Sequence, residues 1–170
     1  MEVFLIAALS ADGFIAQDPK VASTSWTSGE DKAWFSQKTK QAGVCIMGRT
    51  TFETIGRPLG GRLTIVLTQD PNYHLPVVSE DLEVSSEEPE VLLQKLKRRG
   101  FKQVAICGGS SIYTLFMQKK LINKLFLTVE SVIFGDGIRL FNQPISQKLK
   151  LIKVHDLSSQ TKVMEYQVES

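Results

Sequence analysis

The sequence predicts an α/β fold, a mostly parallel central sheet with helices on both faces and an antiparallel hairpin at one edge. Three observations predict it. Apolar runs of strand length recur along the chain. Helix-like stretches separate several of them, which is the arrangement that parallel strands buried on both faces require. The last third then loses its helices and alternates polar with apolar residues.

The strands, in order, are Val3–Leu9, Val44–Met47, Leu63–Leu67, Val104–Cys107 and Leu125–Val129. Their near-continuous apolar character marks them as interior strands. A first helix covers Asp31–Thr39, with Ser28 or Gly29 near its start. A short helix covers Thr51–Ile55 and is opened by Thr50. Glu88–Arg99 carries the clearest helix signal. Glu87, Glu88 and Glu90 crowd its first turn, Lys95, Lys97, Arg98 and Arg99 its last, and Gly100 stops it. That polarity suits the helix dipole. A fourth helix covers Ser111–Lys119, with Ile112, Leu115 and Phe116 on one face. Residues 69–86 hold two prolines and no helical period, so they read as loop or as a short strand through Val77–Val78. Leu149–His155 and Lys162–Val168 form the antiparallel pair at the sheet edge.

The chain has 170 residues, with 20 Lys+Arg against 18 Asp+Glu and a formal charge of +2. That length fits one domain, residues 1–170, with a core that needs no metal or disulfide staple. The charge balance excludes a strongly basic nucleic-acid binder, and a hydrophobic content of 42% excludes a disordered chain. The apolar opening MEVFLIAALSADGFIA has no Lys or Arg before it and is broken by Asp12, so it suits neither a signal peptide nor a membrane span. The cytoplasm is the expected compartment. Cys45 and Cys107 lie within apolar runs and read as buried free thiols. His74 and His155 lack partners at metal-ligand spacing, so no metal is expected. No GxSxG elbow is present for acyl transfer.

Ligands of open α/β sheets bind beyond the carboxyl ends of the parallel strands. Two such ends carry suggestive residues. One is Gly48-Arg49-Thr50-Thr51, where a helix start offers free N–H groups and Arg49 a forked cation to a phosphate. The other is Gly108-Gly109-Ser110-Ser111, where paired glycines let backbone approach a ligand closely. Neither matches the GxGxxG or GxxxxGK[ST] pattern. The candidate acid lies in WTSGEDKAWF, residues 26–35. Two readings stay open for Glu30 and Asp31. Both can serve the helix dipole alone. Alternatively one points into an apolar cleft lined by Trp26 and Phe35, where its pKa rises and it holds or relays a proton.

These motifs, in this order from Phe4 to Phe141, resemble dihydrofolate reductases. IAALSADGFIA resembles the opening strand and the mobile active-site loop, here residues 10–27. Trp26 followed by Asp31 resembles the helix entrance that carries the acid. MGRTTFETIGRPLGGRLTIVLT resembles the segment that binds the cofactor phosphate and the folate tail. ICGGSSIY resembles the Gly-Gly turn under the nicotinamide, and LFLTVE the strand whose Thr128 hydrogen-bonds the acid. The resemblance implies an NADPH-dependent oxidoreductase that makes tetrahydrofolate for one-carbon metabolism. Hydride passes to C6 of dihydrofolate and a proton to N5. Asp31, Thr128 and Trp26 form the implied catalytic set. Ala8, Phe35, Ile55, Leu59 and Cys107 wall the folate, and Arg62 grips its α-carboxylate. Gly48, Arg49, Thr50, Thr51, Thr68, Gln69, Gly108, Gly109, Ser110, Ser111, Ile112 and Tyr113 surround NADPH. Arg49, with Thr68 or Gln69, meets the 2′-phosphate. A monomer or homodimer is implied, with no nucleic-acid or membrane partner.

The sequence also departs from that pattern. The loop before Trp26 is long, and Thr27-Ser28-Gly29 replaces the usual Leu-Pro. SADGFIA, WTSGEDK and FGDGIRLF are similar to the reductase domain of riboflavin-biosynthesis proteins, which acts on a phosphoribosyl-aminopyrimidine. Under that alternative Glu30 competes with Asp31 for the acid's place. A non-catalytic nucleotide-binding domain is the third reading.

Overall fold

The computed structural model describes residues 1–169. The first half runs β1 (Glu2–Ser10), β2 (Phe14–Ala16), α1 (Gly29–Ala42), β3 (Val44–Gly48), α2 (Arg49–Ile55), β4 (Leu63–Leu67) and β5 (Leu82–Ser85). The second half runs α3 (Pro89–Arg98), β6 (Gln103–Ile106), α4 (Ser110–Gln118), β7 (Lys124–Glu130), β8 (Ile138–Arg139), β9 (Leu149–Asp156) and β10 (Lys162–Val168). Eight strands form one sheet in the order β5-β4-β3-β6-β1-β7-β10-β9, and β2 pairs with β8 in a small second sheet. The strands from β5 through β7 pair in parallel, while β10 is antiparallel to both β7 and β9.

Strand alternation divides the core into two layers. Val3, Leu5, Val44, Ile46, Val104 and Ile106 face α3 and α4. Phe4, Ile6, Cys45, Met47, Ala105 and Phe126 face α1 and α2. Helices thus cover both faces, as expected for apolar parallel strands. α1 presents Asp31, Phe35, Thr39 and Ala42 along one stripe, of which Asp31, Thr39 and Ala42 are buried. Its N-cap is Ser28, whose hydroxyl accepts from the Asp31 amide at 3.1 Å, and Gly43 ends it in the left-handed region at φ 76°.

Four local readings change. Residues 69–86 do hold a strand, but it is Leu82–Ser85, and Val78 is fully exposed. The alternation Leu82/Val84 was hidden among acidic residues, and only pairing with β4 completes it. α2 is capped by Gly48 and begins at Arg49, so Thr50 lies inside it. β6 ends at Ile106, which places Cys107 in the turn that follows. α4 begins at Ser110 rather than Ser111.

Candidate active site

A cleft of about 330 Å³ opens beyond the carboxyl ends of the central strands. Ile6, Ala7 and Ala8 form its floor, Phe35, Ile55 and Leu59 its apolar walls, and residues 21–24 of the loop after β2 its far side. Asp31 stands in it and is only 8% exposed, because the rotation of α1 turns its third residue inward. Glu30, one residue earlier, is exposed. Burial raises the proton affinity of Asp31 above that of an ordinary carboxyl. The Thr128 and Thr27 hydroxyls beside it oppose the rise, and the charge of Glu130 adds to it.

Thr128 sits on the face of β7 that looks toward α1. Its Oγ1 is buried without a hydrogen-bond partner, so it neighbours Asp31 but does not close the bond that the resemblance implies. Trp26 does not line the cleft. Its ring packs edge-on against Phe134, with centroids 5.0 Å apart, and its Nε1 is buried and unpartnered.

Arg62 lines the cleft and is 7% exposed. Its guanidinium donates to the Ser36 carbonyl at 3.1 Å, to Thr39 Oγ1, and from Nε to the Leu59 carbonyl at 3.4 Å. It therefore ties the start of β4 to α1 as well as facing the cleft. Lys32 and Arg57 add two further cations to the lining.

The two glycine turns meet at one end of the cleft, where the Gly48 amide donates to the Gly108 carbonyl at 2.8 Å. The Gly108–Gly109 peptide is cis. Gly108 has φ 110°, and a Cβ there would stand 3.1 Å from Tyr113 Oη. A Cβ on Gly109 would stand 3.2 Å from Thr51 Oγ1. Neither position has room for a side chain without movement of its neighbour. Tyr113 Oη donates to the Ile6 carbonyl at 2.7 Å, and Ile112 packs against Gly48. Ser110 Oγ, at the start of α4, is buried and has no partner.

The remaining residues expected around the cofactor lie outside the cleft. Arg49 is engaged: its Nη1 donates to Asp70 Oδ2 at 2.8 Å, and it lies over the Tyr73 ring at 5.7 Å. Thr68 Oγ1 accepts from the Asp70 amide, and Gln69 donates to the Ser86 carbonyl. Ser111 Oγ accepts from Asn142, and Thr50 is exposed. The structure thus brings Asp31, Ala8, Phe35, Ile55, Leu59, Arg62 and Cys107 to one cleft together with Thr51, Gly108, Gly109 and Tyr113. Gly48, Ser110 and Ile112 sit in the turns just behind it.

Sequence reasoning missed Thr27, Lys32, Arg57 and Glu130. The period-2 pattern Phe126/Thr128/Glu130 was the signal for Glu130, since it puts all three on one face of β7. Nothing local marked the other three, which depend on the curvature of the cleft rim.

A family model described as dihydrofolate reductase matches residues 2–168. A dihydrofolate reductase of Haemophilus influenzae is 34% identical over 137 residues, which cover 80% of this chain and 77% of that protein. Among solved structures, a pyrimidine reductase-like protein from Corynebacterium diphtheriae superposes with a TM-score of 0.79 at 17% identity, covering 99% of this chain and 92% of that one. A dihydrofolate reductase from Enterococcus faecalis, solved in complex with NADP(H), gives a TM-score of 0.72 at 23% identity and covers 99% and 97%.

Proposed function

The chain belongs to the dihydrofolate reductase family, and from that premise we propose that it reduces dihydrofolate to tetrahydrofolate with NADPH. One observation carries the reading: a buried carboxyl, Asp31, and a buried arginine, Arg62, line the same apolar cleft, with two glycine turns closing one end. That combination suits a flat heteroaromatic ring with a carboxylate tail and a nucleotide lying next to it.

The glycine turns fit a dinucleotide. Side chains are excluded at Gly108 and Gly109, so backbone can approach a ligand, and Ser110 Oγ is buried with its hydrogen-bonding capacity unspent. Gly48, Thr51, Gly108, Gly109, Ser110, Ile112 and Tyr113 would hold NADPH, with Arg49, Thr50, Thr68, Gln69 and Ser111 toward its phosphates. NADPH when bound supplies the hydride.

The chain's own residues do the rest. Phe35, Ile55, Leu59, Ala8 and Cys107 hold the pterin flat and exclude water, which strengthens every polar contact inside. Asp31 pairs with N3 and the amino group of the pterin. Its raised proton affinity suits it to favour the protonated form of the pterin, with a water carrying the proton to N5. Thr128, whose Oγ1 is free among the described residues, would close a bond to the carboxyl when a ligand fills the cleft. Arg62 takes the α-carboxylate of the substrate. Trp26 acts from outside the cleft by packing the loop 10–27 against Phe134.

The test is NADPH oxidation near neutral pH with dihydrofolate or the phosphoribosyl-aminopyrimidine as oxidant. We expect turnover with dihydrofolate. Turnover with the pyrimidine alone would transfer the assignment to the riboflavin-type reaction, and binding of NADPH without turnover of either would leave a nucleotide-binding domain.

A further inference from the structure

Glu130 is 5% exposed. It accepts three hydrogen bonds: from the Ser28 amide at 2.8 Å, from Ser28 Oγ at 2.7 Å and from Thr161 Oγ1 at 2.8 Å. These partners come from the loop before α1 and the turn before β10, while Glu130 itself ends β7. Ser10, opposite it in the β1–β7 pairing, is also buried. Its partners are one amide and two hydroxyls, with no cation among them. A buried carboxylate without a counter-charge is an expensive group to keep in a fold, and an apolar residue of similar volume would ordinarily serve packing better. Its surroundings suggest why it stands there. Ser28 Oγ, which donates to Glu130, also accepts from the Asp31 amide at 3.1 Å. A single hydroxyl therefore links the carboxylate at the end of β7 to the backbone of the candidate acid.

We propose that Glu130 is a positioning residue for Asp31. Through Ser28 it fixes the start of α1, and so the place of the Asp31 carboxyl, and it supplies the negative charge that Asp31 faces from β7. The proposal rests on the reading of Asp31 as the acid of the reductase.

Asp31 meets titratable and polar groups from every element around it. Thr128 and Glu130 face it from β7, and Thr27 and Lys32 from either side along the chain. Cys107 after β6, Tyr113 of α4 and Arg62 at the start of β4 share its cleft. Glu130 and Lys32 are the charged neighbours that act on it, in opposite senses. Lys32 is exposed and solvent weakens its influence, whereas Glu130 acts through the interior, where screening is poor. A buried like charge disfavours ionisation of its neighbour. Glu130 thereby helps Asp31 keep its proton as the solution becomes more alkaline.

The experiment follows the Asp31 carboxyl carbon by NMR titration of the full chain labelled at aspartate, in the unmodified protein and in Glu130→Gln. Glutamine keeps the shape and can still accept from Ser28, but it carries no charge. We expect the Asp31 midpoint to fall by about half a pH unit or more, and the alkaline limb of the kcat/KM profile to move with it. KM for NADPH should stay unchanged. Ser28→Ala keeps the charge and breaks the hydroxyl link. It should lower kcat by about three- to tenfold and leave the midpoint in place. An Asp31 midpoint in Glu130→Gln equal to that of the unmodified protein overturns the proposal. Should that variant not fold, Ser28→Ala decides the matter: a kcat equal to that of the unmodified protein overturns the proposal. Because the titration needs no turnover, it reports on Glu130 even if Asp31→Asn proves fully active, which would sink the reductase reading instead.

Discussion

Asp31 inside the cleft and Arg49 outside it are both titratable groups at the start of a helix, and they stand in opposite surroundings. Asp31 is 8% exposed, and a positioned cap at Ser28 and a buried carboxylate at Glu130 fix its backbone. The side chain of Arg49 is 44% exposed and is paired with Asp70, whose own side chain is 39% exposed. Water screens the second site and hardly reaches the first. Contacts around Asp31 are therefore worth more and are set before a ligand arrives. An exposed ion pair such as Arg49–Asp70 is worth little, so under the proposed function Arg49 would exchange Asp70 for a ligand phosphate at small cost. Substitutions at Asp31 should accordingly cost more than those at Arg49.

The largest effect is expected at Asp31. Asp31→Asn should slow hydride transfer, read as single-turnover NADPH oxidation, by at least about a hundredfold, within the span of general acid–base groups. Glu30→Gln should cost far less, since Glu30 is exposed. A Glu30→Gln variant more impaired than Asp31→Asn would reverse the contrast and favour the riboflavin-type alignment.

Arg62→Leu comes next and should show two effects. KM for dihydrofolate should rise about tenfold or more with kcat little changed, because the α-carboxylate is remote from the reacting carbon. The melting temperature should also fall, because the carbonyls of Ser36 and Leu59 lose a charged donor, a loss of about 1.5–3 kcal/mol. An unchanged KM beside a lowered Tm would make Arg62 a purely structural tie between β4 and α1.

Arg49→Leu should act on cofactor choice rather than on dihydrofolate, eroding the preference for NADPH over NADH by about 1–3 kcal/mol in the kcat/KM ratio. Equal kcat/KM for the two cofactors in the unmodified protein would remove Arg49 from this role. Asp70→Asn should sharpen the comparison from the other side. Freeing Arg49 should lower KM for NADPH only about two- to threefold, and the gain should vanish at high salt.

The smallest effect concerns stability. The Asp31 carboxyl binds its proton more tightly in the fold than the ordinary value of 3.8. Its contribution to stability is therefore fully present below that value and is lost as pH rises through the folded pKa. Asp31→Asn should thus melt a few degrees higher than the unmodified protein at pH 7, with the advantage gone near pH 4. A constant difference across that range would mean that burial does not disfavour the charge.

Much of the framework was legible in the sequence. Val44–Met47 is an uninterrupted apolar run and Leu63–Leu67 nearly one, the pattern of strands covered on both faces. The acidic start and basic end of α3 announced its direction. Gly48 and Gly108–Gly109 stood out as glycines at strand–helix junctions, the first at a helix start with free N–H groups and the pair where backbone can come close to a ligand. β5 was less visible. Leu82 and Val84 alternate over only four residues, and β4 supplies the pairing that makes them a strand. The antiparallel contact of β2 with β8 was invisible for the same reason, since three residues and two carry no period of their own.

The sequence by itself determined what depends on near neighbours: the alternation of strands and helices, the stripe of α1 that runs through Asp31, Phe35 and Thr39, and the glycine turns at two strand ends. Backbone geometry imposes these periods within a few residues, so a short window contains them. The tertiary structure alone decided what each charge meets. It buried Asp31 and left Glu30 exposed by turning α1 against β7, and paired Arg49 with Asp70, 21 positions away. It also set Glu130 against Ser28 across 102 positions. Burial, screening and counter-charge depend on distance in space rather than along the chain, and folding is the step that relates the two.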